Sequence, residues 1–126
     1  MWCELRQDQT TMAWTTFQQG VFTPDAYTRW LASIAMDDNG NIGLCYLKSG
    51  ATTIYPSLGY TGRLASGPLN TMTYAETIAA VGTASQTGGI NRVGDYSQTT
   101  LDPDGSTFWH TGEYMGGTST SPARTR

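Results

Sequence analysis

Two short segments, "MDDNGNIGL" at residues 36–44 and "LDPDGSTFW" at residues 101–109, share one pattern. In each, an apolar residue precedes an Asp, a Gly follows three positions after that Asp, and a β-prone run comes next. Such an Asp accepts hydrogen bonds from backbone N–H groups ahead of it, and the Gly supplies the positive φ that closes the turn. Both segments therefore predict a β-hairpin, and their separation of 65 positions predicts two copies of one unit.

The rest of the chain is also typical of β structure. Many Thr, seven Tyr and four Trp stand in short runs that clusters of Gly, Asp, Asn, Pro and Ser interrupt. The run "TYAETIAAVG" also has the apolar spacing of a short helix, but its Thr-rich flanks favour a strand. The runs predict eight strands, at Trp2–Arg6, Met12–Phe17, Leu31–Met36, Ile42–Lys48, Thr53–Gly59, Tyr74–Val81, Ser97–Leu101 and Thr107–Tyr114.

Eight strands in two units make four strands per unit, the size of one β-propeller blade. The first hairpin has no Asp-x-x-Gly turn before it, and no further pair of strands follows the last one. We therefore predict an all-β fold in which residues 1–116 form about two four-stranded antiparallel blades, offset so that the ring closes between chains. Residues 117–126 are small and polar and predict a flexible C-terminal tail.

Out-of-phase blades leave strand edges that need a partner, and head-to-tail closure supplies one. The expected partner is the chain itself, in a closed homo-oligomer. Three protomers, which give about six blades, are favoured over four, which give about eight.

Longer segments resemble a family of large secreted bacterial proteins with propeller-like repeats. Residues 94–114, "GDYSQTTLDPDGSTFWHTGEY", are similar to its Arg-Trp-Gly-Asp-Tyr-Ser … Asp-Pro … Thr-Phe-Trp-Tyr-Thr-x-Glu-Tyr pattern. Residues 55–73 resemble its Tyr-Pro-Ser-x-x-Tyr-x-Gly-Arg element, and residues 29–46 its Arg-Trp … Ser-Ile-Ala-Met-Asp-x-x-Gly-Asn element. The resemblance covers nearly all of residues 2–116. It implies propeller-like repeats and an extracellular or periplasmic location, and it carries no assigned activity.

A weaker resemblance links "TLDPDGSTFW" to the Ser/Thr-x-Asp-x-Gly-x-x-Trp box of sialidase-type propellers. Thr100, Asp102, Gly105 and Trp109 match that box with two extra residues, one before and one after the Gly. In those enzymes the box is a folding element away from the catalytic centre, so this resemblance implies a turn and no activity.

Composition excludes several classes of function. Charged residues make up 13% of the chain, the net charge is -3 and the basic residues are scattered, which excludes a nucleic-acid binder. No apolar run approaches the roughly 20 residues of a membrane span, and "MWCELRQDQ" does not read as a signal peptide. Two Cys and one His give no zinc-ligand spacing, so no metal is expected. Cys3 and Cys45 are either small buried hydrophobic residues or one disulfide.

The arginines provide the candidate ligand-binding set: Arg29, Arg63 and Arg92, together with Asp95 and Tyr96. Three Arg side chains can grip a substrate carboxylate in a bidentate manner, which suggests a glycan or a small anionic ligand. The alternative is that Arg29 and Arg92 are equivalent structural residues. Each would then pair with a loop carbonyl or an Asp at the start of its unit.

Other constellations are weaker. Asp37 and Asp102 could bind calcium through their turns, but neither turn has the distal Glu of a calcium loop, so hydrogen-bonded turns are favoured and no cofactor is expected. The carboxylates single out no catalytic pair, and His110 is interpreted as a strand histidine on the polar face. The numerous Trp and Tyr side chains could stack on sugars, but packing between blades is favoured.

Three functions follow from these patterns. The favoured one is a non-enzymatic binding or scaffold module assembled by self-association. The alternatives are a sialidase-like or other glycosidase-like enzyme, or a fragment of one, and a terminal fragment of a larger exported protein without a role of its own. No catalytic residue is assigned.

Overall fold

The computed structural model describes residues 1–51, 53–85 and 93–117, together with the backbone of Ala123–Thr125. Its regular structure is entirely β-strand and the strand pairs are antiparallel, which confirms the all-β prediction. The strands are β1 (Trp2–Gln7), β2 (Trp14–Gly20), β3 (Thr28–Met36), β4 (Ile42–Ser49), β5 (Ser57–Arg63), β6 (Thr77–Ala80), β7 (Gln98–Leu101), β8 (Phe108–Tyr114) and β9 (Ala123–Thr125). They form a β1–β2 hairpin, a central β3–β4–β5–β6 sheet and a β7–β8–β9 sheet.

The two duplicated turns have the predicted geometry. The N–H of Gly40 donates to the Asp37 carbonyl at 3.0 Å, and the N–H of Gly105 donates to the Asp102 carbonyl at 3.0 Å. Gly40 and Gly105 have φ values of +82° and +75°, which favour glycine. The turns also touch, because the Asp38 N–H donates to the Gly105 carbonyl at 3.0 Å. The two copies of the hairpin therefore lie side by side.

Each of the eight predicted strands differs from its limits in the structure by at least one residue, and three of these differences have an identifiable cause. The strand expected at Met12–Phe17 begins at Trp14, because Met12 belongs to a turn and donates its N–H to the Asp8 carbonyl at 2.8 Å. The strand expected at Thr53–Gly59 is β5, which starts only after Pro56. Before it, a turn closes where the Gly50 N–H donates to the Ile54 carbonyl at 2.8 Å.

The strand expected at Tyr74–Val81 is confirmed in type but shortened to β6. The Tyr74 N–H donates to the Gly62 carbonyl at 2.9 Å, outside the regular strand pairing. Glu76 also lies outside the strand, and its carboxylate joins a cluster of charged residues. Of the predicted tail, the structure describes Gly117 and the backbone of β9, which pairs with β8. Residues 118–122 and 126 lie outside the described residues.

The central sheet lies between the other two sheets. Side chains alternate between the faces of a strand, and on one face of β4 Ile42 and Leu44 join Trp2 of β1 in the main apolar core. On the other face, Gly43 lies against the ring of Phe108 in β8. Trp2 of the β1–β2 hairpin therefore packs on one face of the central sheet, and the β7–β8–β9 sheet lies against part of the other face.

Both cysteines are free thiols, with Cys3 exposed on β1 and Cys45 partly buried on β4. The disulfide alternative is therefore wrong for this structure. The described part of the chain contains no helix with the length and hydropathy that a bilayer crossing requires.

Candidate functional site

Four charged side chains meet at one end of the central sheet. Arg29 of β3 and Lys48 of β4 are direct neighbours in the sheet register, and the loops before β3 and β6 bring Asp25 and Glu76 to them. Arg29 Nε donates to Glu76 Oε1 at 2.7 Å, and Arg29 Nη1 donates to Asp25 Oδ1 at 2.8 Å. Lys48 Nζ donates to Asp25 Oδ2 at 2.8 Å and also to Glu76. Two cations and two carboxylates thus alternate in a closed ring, which we call the charged cluster.

Aromatic side chains seal the charged cluster from the core side. The hydroxyl of the fully buried Tyr46 donates to Glu76 Oε1 at 2.8 Å. The guanidinium carbon of Arg29 lies 5.6 Å from the ring centroid of Phe22 and 5.7 Å from that of Tyr46, within cation–π range. Arg29 Nη2 is buried and has no hydrogen-bond partner in the described part of the chain. The Phe22 and Tyr46 rings therefore provide the guanidinium with cation–π contacts on a side where it has no hydrogen-bond acceptor.

The pKa values of the side chains in the charged cluster are shifted by their hydrogen bonds to one another. Burial would raise the pKa of Glu76, but hydrogen bonds from Arg29 and Lys48 outweigh it and hold the pKa below its ordinary value. Hydrogen bonds from the same two cations lower the pKa of Asp25. Burial and the neighbouring Glu76 carboxylate raise the pKa of the Tyr46 hydroxyl. All four charged groups are thus held in their ionised forms at neutral pH, and none is poised to transfer a proton.

Two of the predicted ligand-binding residues, Arg29 and Arg63, lie far apart. Arg29 and Arg63 lie beside opposite ends of β4, opposite Lys48 and Ile42, which are about 20 Å apart at the rise of a strand. Arg63 is buried and its Nη2 donates to the Gly67 carbonyl at 2.9 Å. Asp95 and Tyr96 are exposed on the loop before β7, and Arg92 lies outside the described residues.

Arg29 has partners within its own chain. It pairs with an Asp and with a loop carbonyl, since Nη1 donates both to Asp25 and to the Tyr27 carbonyl at 3.0 Å. A cleft of about 170 Å³ beside it is lined by Trp2, Phe22 and other residues. Nε and Nη1 of Arg29 are therefore occupied by partners within the chain, whereas Nη2 has none among the described residues.

The Asp turns use their oxygens internally. Asp37 accepts hydrogen bonds from the N–H groups of Asn39 and Asn41, at 2.9 and 2.7 Å, and from the Asn41 amide at 2.7 Å. Asp102 accepts from the Asp104 N–H at 3.0 Å and from Trp109 Nε1 at 2.7 Å. Among the described residues, no group of three or more His, Cys, Asp or Glu is placed to hold a metal. Both segments thus form hydrogen-bonded turns in the structure.

A second, larger cleft of about 580 Å³ lies between the central sheet and β8. Its lining is mostly apolar and includes Cys45, Tyr60, Phe108 and His110. The expectation that His110 lies on the polar face of its strand is therefore wrong, because this ring faces the central sheet. The signal in the sequence was the alternation in "FWHTG", which places His110 on the same side of the strand as Phe108.

One nitrogen of His110 has a polar neighbour and the other does not. Nδ1 lies 2.9 Å from Thr99 Oγ1, which also donates to the Ser33 carbonyl at 3.1 Å. Nε2 is buried and has no hydrogen-bond partner among the described residues. Burial lowers the pKa of His110, and a hydrogen bond to the backbone of Gln98 opposes that effect only in part.

His110 should make stability depend on pH near neutrality. Its pKa is lower in the folded chain than the value of about 6.5 expected when unfolded, so the unfolded state binds more protons between the two values. Its contribution is fully present above the unfolded pKa and is lost as the pH falls through the folded one. We expect the urea midpoint to fall between pH 7.5 and pH 5.5.

The His110→Asn variant is the control, because the chain has a single His. Its urea midpoint should change much less over the same interval. An equal fall in both proteins would show that the titrating group is not His110.

The polar groups gathered in the described ranges thus mainly satisfy one another. The charged cluster holds its ions in a closed ring, and the larger cleft is apolar apart from a few side chains such as His110. Neither arrangement pairs an activated nucleophile with a base. Comparison with family models, with curated proteins and with solved structures finds no match for this chain.

Proposed function

We propose that the chain is a non-enzymatic binding or scaffold module of the β-propeller type, assembled from several copies of itself. The observation that carries this proposal is the size of the sheets. The central sheet has four strands, whereas the outer sheets have two and three. The β1–β2 hairpin of one copy and the β7–β8 pair of another copy would together make a second four-stranded sheet.

The outer edge of β8 supports this proposal. In the central sheet, Ile42–Cys45 of β4 pair with β3 on one side and with Tyr60–Arg63 of β5 on the other. The corresponding residues of β8, 108–111, pair with β7 on one side, and β9 reaches only residues 112–114 on the other. Within the described residues this edge therefore presents unpaired backbone groups, the usual template for strand addition.

An exposed apolar surface lies next to that edge. Tyr60, Leu64 and Tyr74 line the larger cleft, and each of them is about half exposed. On the opposite face of the central sheet, Trp2 of the β1–β2 hairpin joins the apolar core. A hairpin added to the edge of β8 would lie over Tyr60 and its neighbours and bury this surface.

The occupant that suits both features is the β1–β2 hairpin of a second copy. It resembles the β5–β6 hairpin, because both are antiparallel and both have a register shift within their first strand. The shift lies between Glu4 and Leu5 in β1, and between Leu58 and Gly59 in β5. In the proposed assembly this hairpin stands beside β8 as β5–β6 stands beside β4, and three copies close a ring of about six sheets.

Light scattering on the purified chain tests the proposal. We expect a mass near three times the 13.6 kDa of the chain at high micromolar concentration. The Tyr60→Glu variant places a charge on the apolar surface and should shift the mass towards that of one chain. Tyr96→Glu is the matched control, since Tyr96 is exposed on the loop before β7 and lies outside this surface.

A folded monomer at every concentration would overturn the proposal. Equal loss of assembly in the two variants would also contradict it, because the effect would then not belong to the Tyr60 surface. The urea midpoint of each variant, measured in parallel, separates loss of assembly from loss of folding.

The enzyme alternative has less support. A carboxylate grip would need several Arg side chains around one pocket, and Arg29 and Arg63 lie at opposite ends of β4 with hydrogen-bond partners of their own.

A further inference from the structure

We infer that β9 pairs with the edge of β8 in place of a strand from a second copy of the chain. It occupies the place on β8 where the partner's β1 would add, and it thereby restrains self-association. This inference rests on the proposed function. It adds to that proposal a competitor for the same edge, built into the chain itself.

Register places β9 in this role. The pair that flanks the first turn is Met36 with Ile42, and the pair that flanks the second is Leu101 with Phe108. The second turn is thus one residue longer, and each β8 residue lies 66 positions after its equivalent in β4. The edge residues 112–114 of β8 therefore correspond to residues 46–48 of β4.

The partners of these equivalent residues are themselves equivalent. On β4, residues 46–48 pair with Ser57, Leu58 and Gly59 at the start of β5. On β8, residues 112–114 pair with the three residues of β9. The separation between Ser57 and Ala123 is again 66 positions. β9 therefore holds the position of the first three residues of β5.

The amino-acid sequence marks the same position independently. Pro56 comes directly before β5, and Pro122 comes directly before β9. Proline is tolerated at the start of a strand, where its missing N–H is not needed for the ladder. The shared proline identifies the C-terminal segment as the counterpart of the third strand of the central sheet.

β9 is nevertheless a weaker occupant than β5. β5 forms seven residue pairs with β4, whereas β9 forms three with β8. The sequence also has Arg124 at the place of the buried Leu58, and arginine and proline are residues that natural proteins use to protect sheet edges from association. A strand of six residues such as β1 would gain more pairs on this edge than β9 does.

Competition for the edge gives a measurable effect. A copy whose edge is occupied by β9 cannot accept the partner's β1, so occupancy lowers the apparent affinity of self-association in proportion to the fraction of open copies. Removing the N–H groups of β9 should raise that fraction.

The test compares the full chain with the double variant Arg124→Pro/Thr125→Pro. In a strand, successive N–H groups point to opposite sides, so one of the two prolines removes a group that faces β8 whichever way β9 lies. The matched control is Arg124→Ala/Thr125→Ala, which removes the same side chains and keeps the backbone donors. Sedimentation velocity over a concentration series gives the concentration at half-assembly for each protein.

We expect the proline variant to assemble at a concentration about tenfold lower than the full chain, and the alanine variant to resemble the full chain. Amide hydrogen exchange of residues 112–114 should be faster in the dilute proline variant and slow again once it assembles.

If the full chain and the proline variant assemble equally, the inference is overturned while the proposed self-association stands. If the proline variant loses assembly, β9 promotes association and the inference is also overturned. If every protein stays monomeric, the proposed function itself fails, and the inference fails with it.

Discussion

Replacing Glu76 with Gln is expected to lower the free energy of unfolding by about 3 kcal/mol, as measured by urea denaturation at pH 7. Glu76 is 12% exposed and accepts hydrogen bonds from Arg29, Lys48 and Tyr46. Gln preserves the shape of the side chain but removes its charge, so two cations share the single carboxylate of Asp25. The expected loss lies at the low end for a broken buried pair because Asp25 still contacts both cations.

Asp25→Asn is the matched control for this prediction. It removes one carboxylate from the same two cations, but the Asp25 side chain is 33% exposed and water can replace it. The free energy of unfolding should therefore fall clearly less than in Glu76→Gln. A loss in Glu76→Gln no larger than the loss in Asp25→Asn would show that burial of the charged cluster has no energetic weight.

A loss of about 3–5 kcal/mol is expected for Trp2→Ala. The Trp2 side chain is 6% exposed and packs with Ile42, Leu44, Tyr46 and Met72 in the main apolar core. It is the residue through which the β1–β2 hairpin joins that core, so its truncation leaves a cavity between two sheets. Urea denaturation followed by circular dichroism would measure the loss.

The same substitution at Trp14 provides the control. Trp14 belongs to the same hairpin but is 64% exposed, so Trp14→Ala should change the free energy of unfolding by about 0.5 kcal/mol or less. Similar values for the two variants would mean that the hairpin is not held to the central sheet through Trp2. Faster hydrogen exchange confined to β1 and β2 in Trp2→Ala would show that the hairpin detaches before the rest unfolds.

Local chemistry explains which parts of the fold could be predicted. The Asp37 and Asp102 turns depend on residues within a few positions of one another, so their sequence alone specifies the hairpins. The shortened β6 depends on a distant interaction. Glu76 stands in a run with the spacing of a strand, yet its carboxylate meets Arg29, 47 positions earlier in the chain. No local pattern contains that pairing.

The candidate site was harder to predict for a related reason. The sequence shows which residues are arginines but not where they lie in the fold. Arg29 and Arg63 lie at opposite ends of β4 because of the register of the central sheet. His110 shows the opposite case. Strand alternation with Phe108 already placed it towards the core, and the polar character of the imidazole suggested the wrong side.

The hydrogen bond from Asp38 to Gly105 gives the molecule a polarity. The earlier turn contributes the donor and the later turn the acceptor, although the two turns share one sequence pattern. Neighbouring units are therefore distinguishable by their order along the chain, and reversing one of them would set donor against donor or acceptor against acceptor. In any larger array that repeats this contact, all units must therefore have the same orientation along the array.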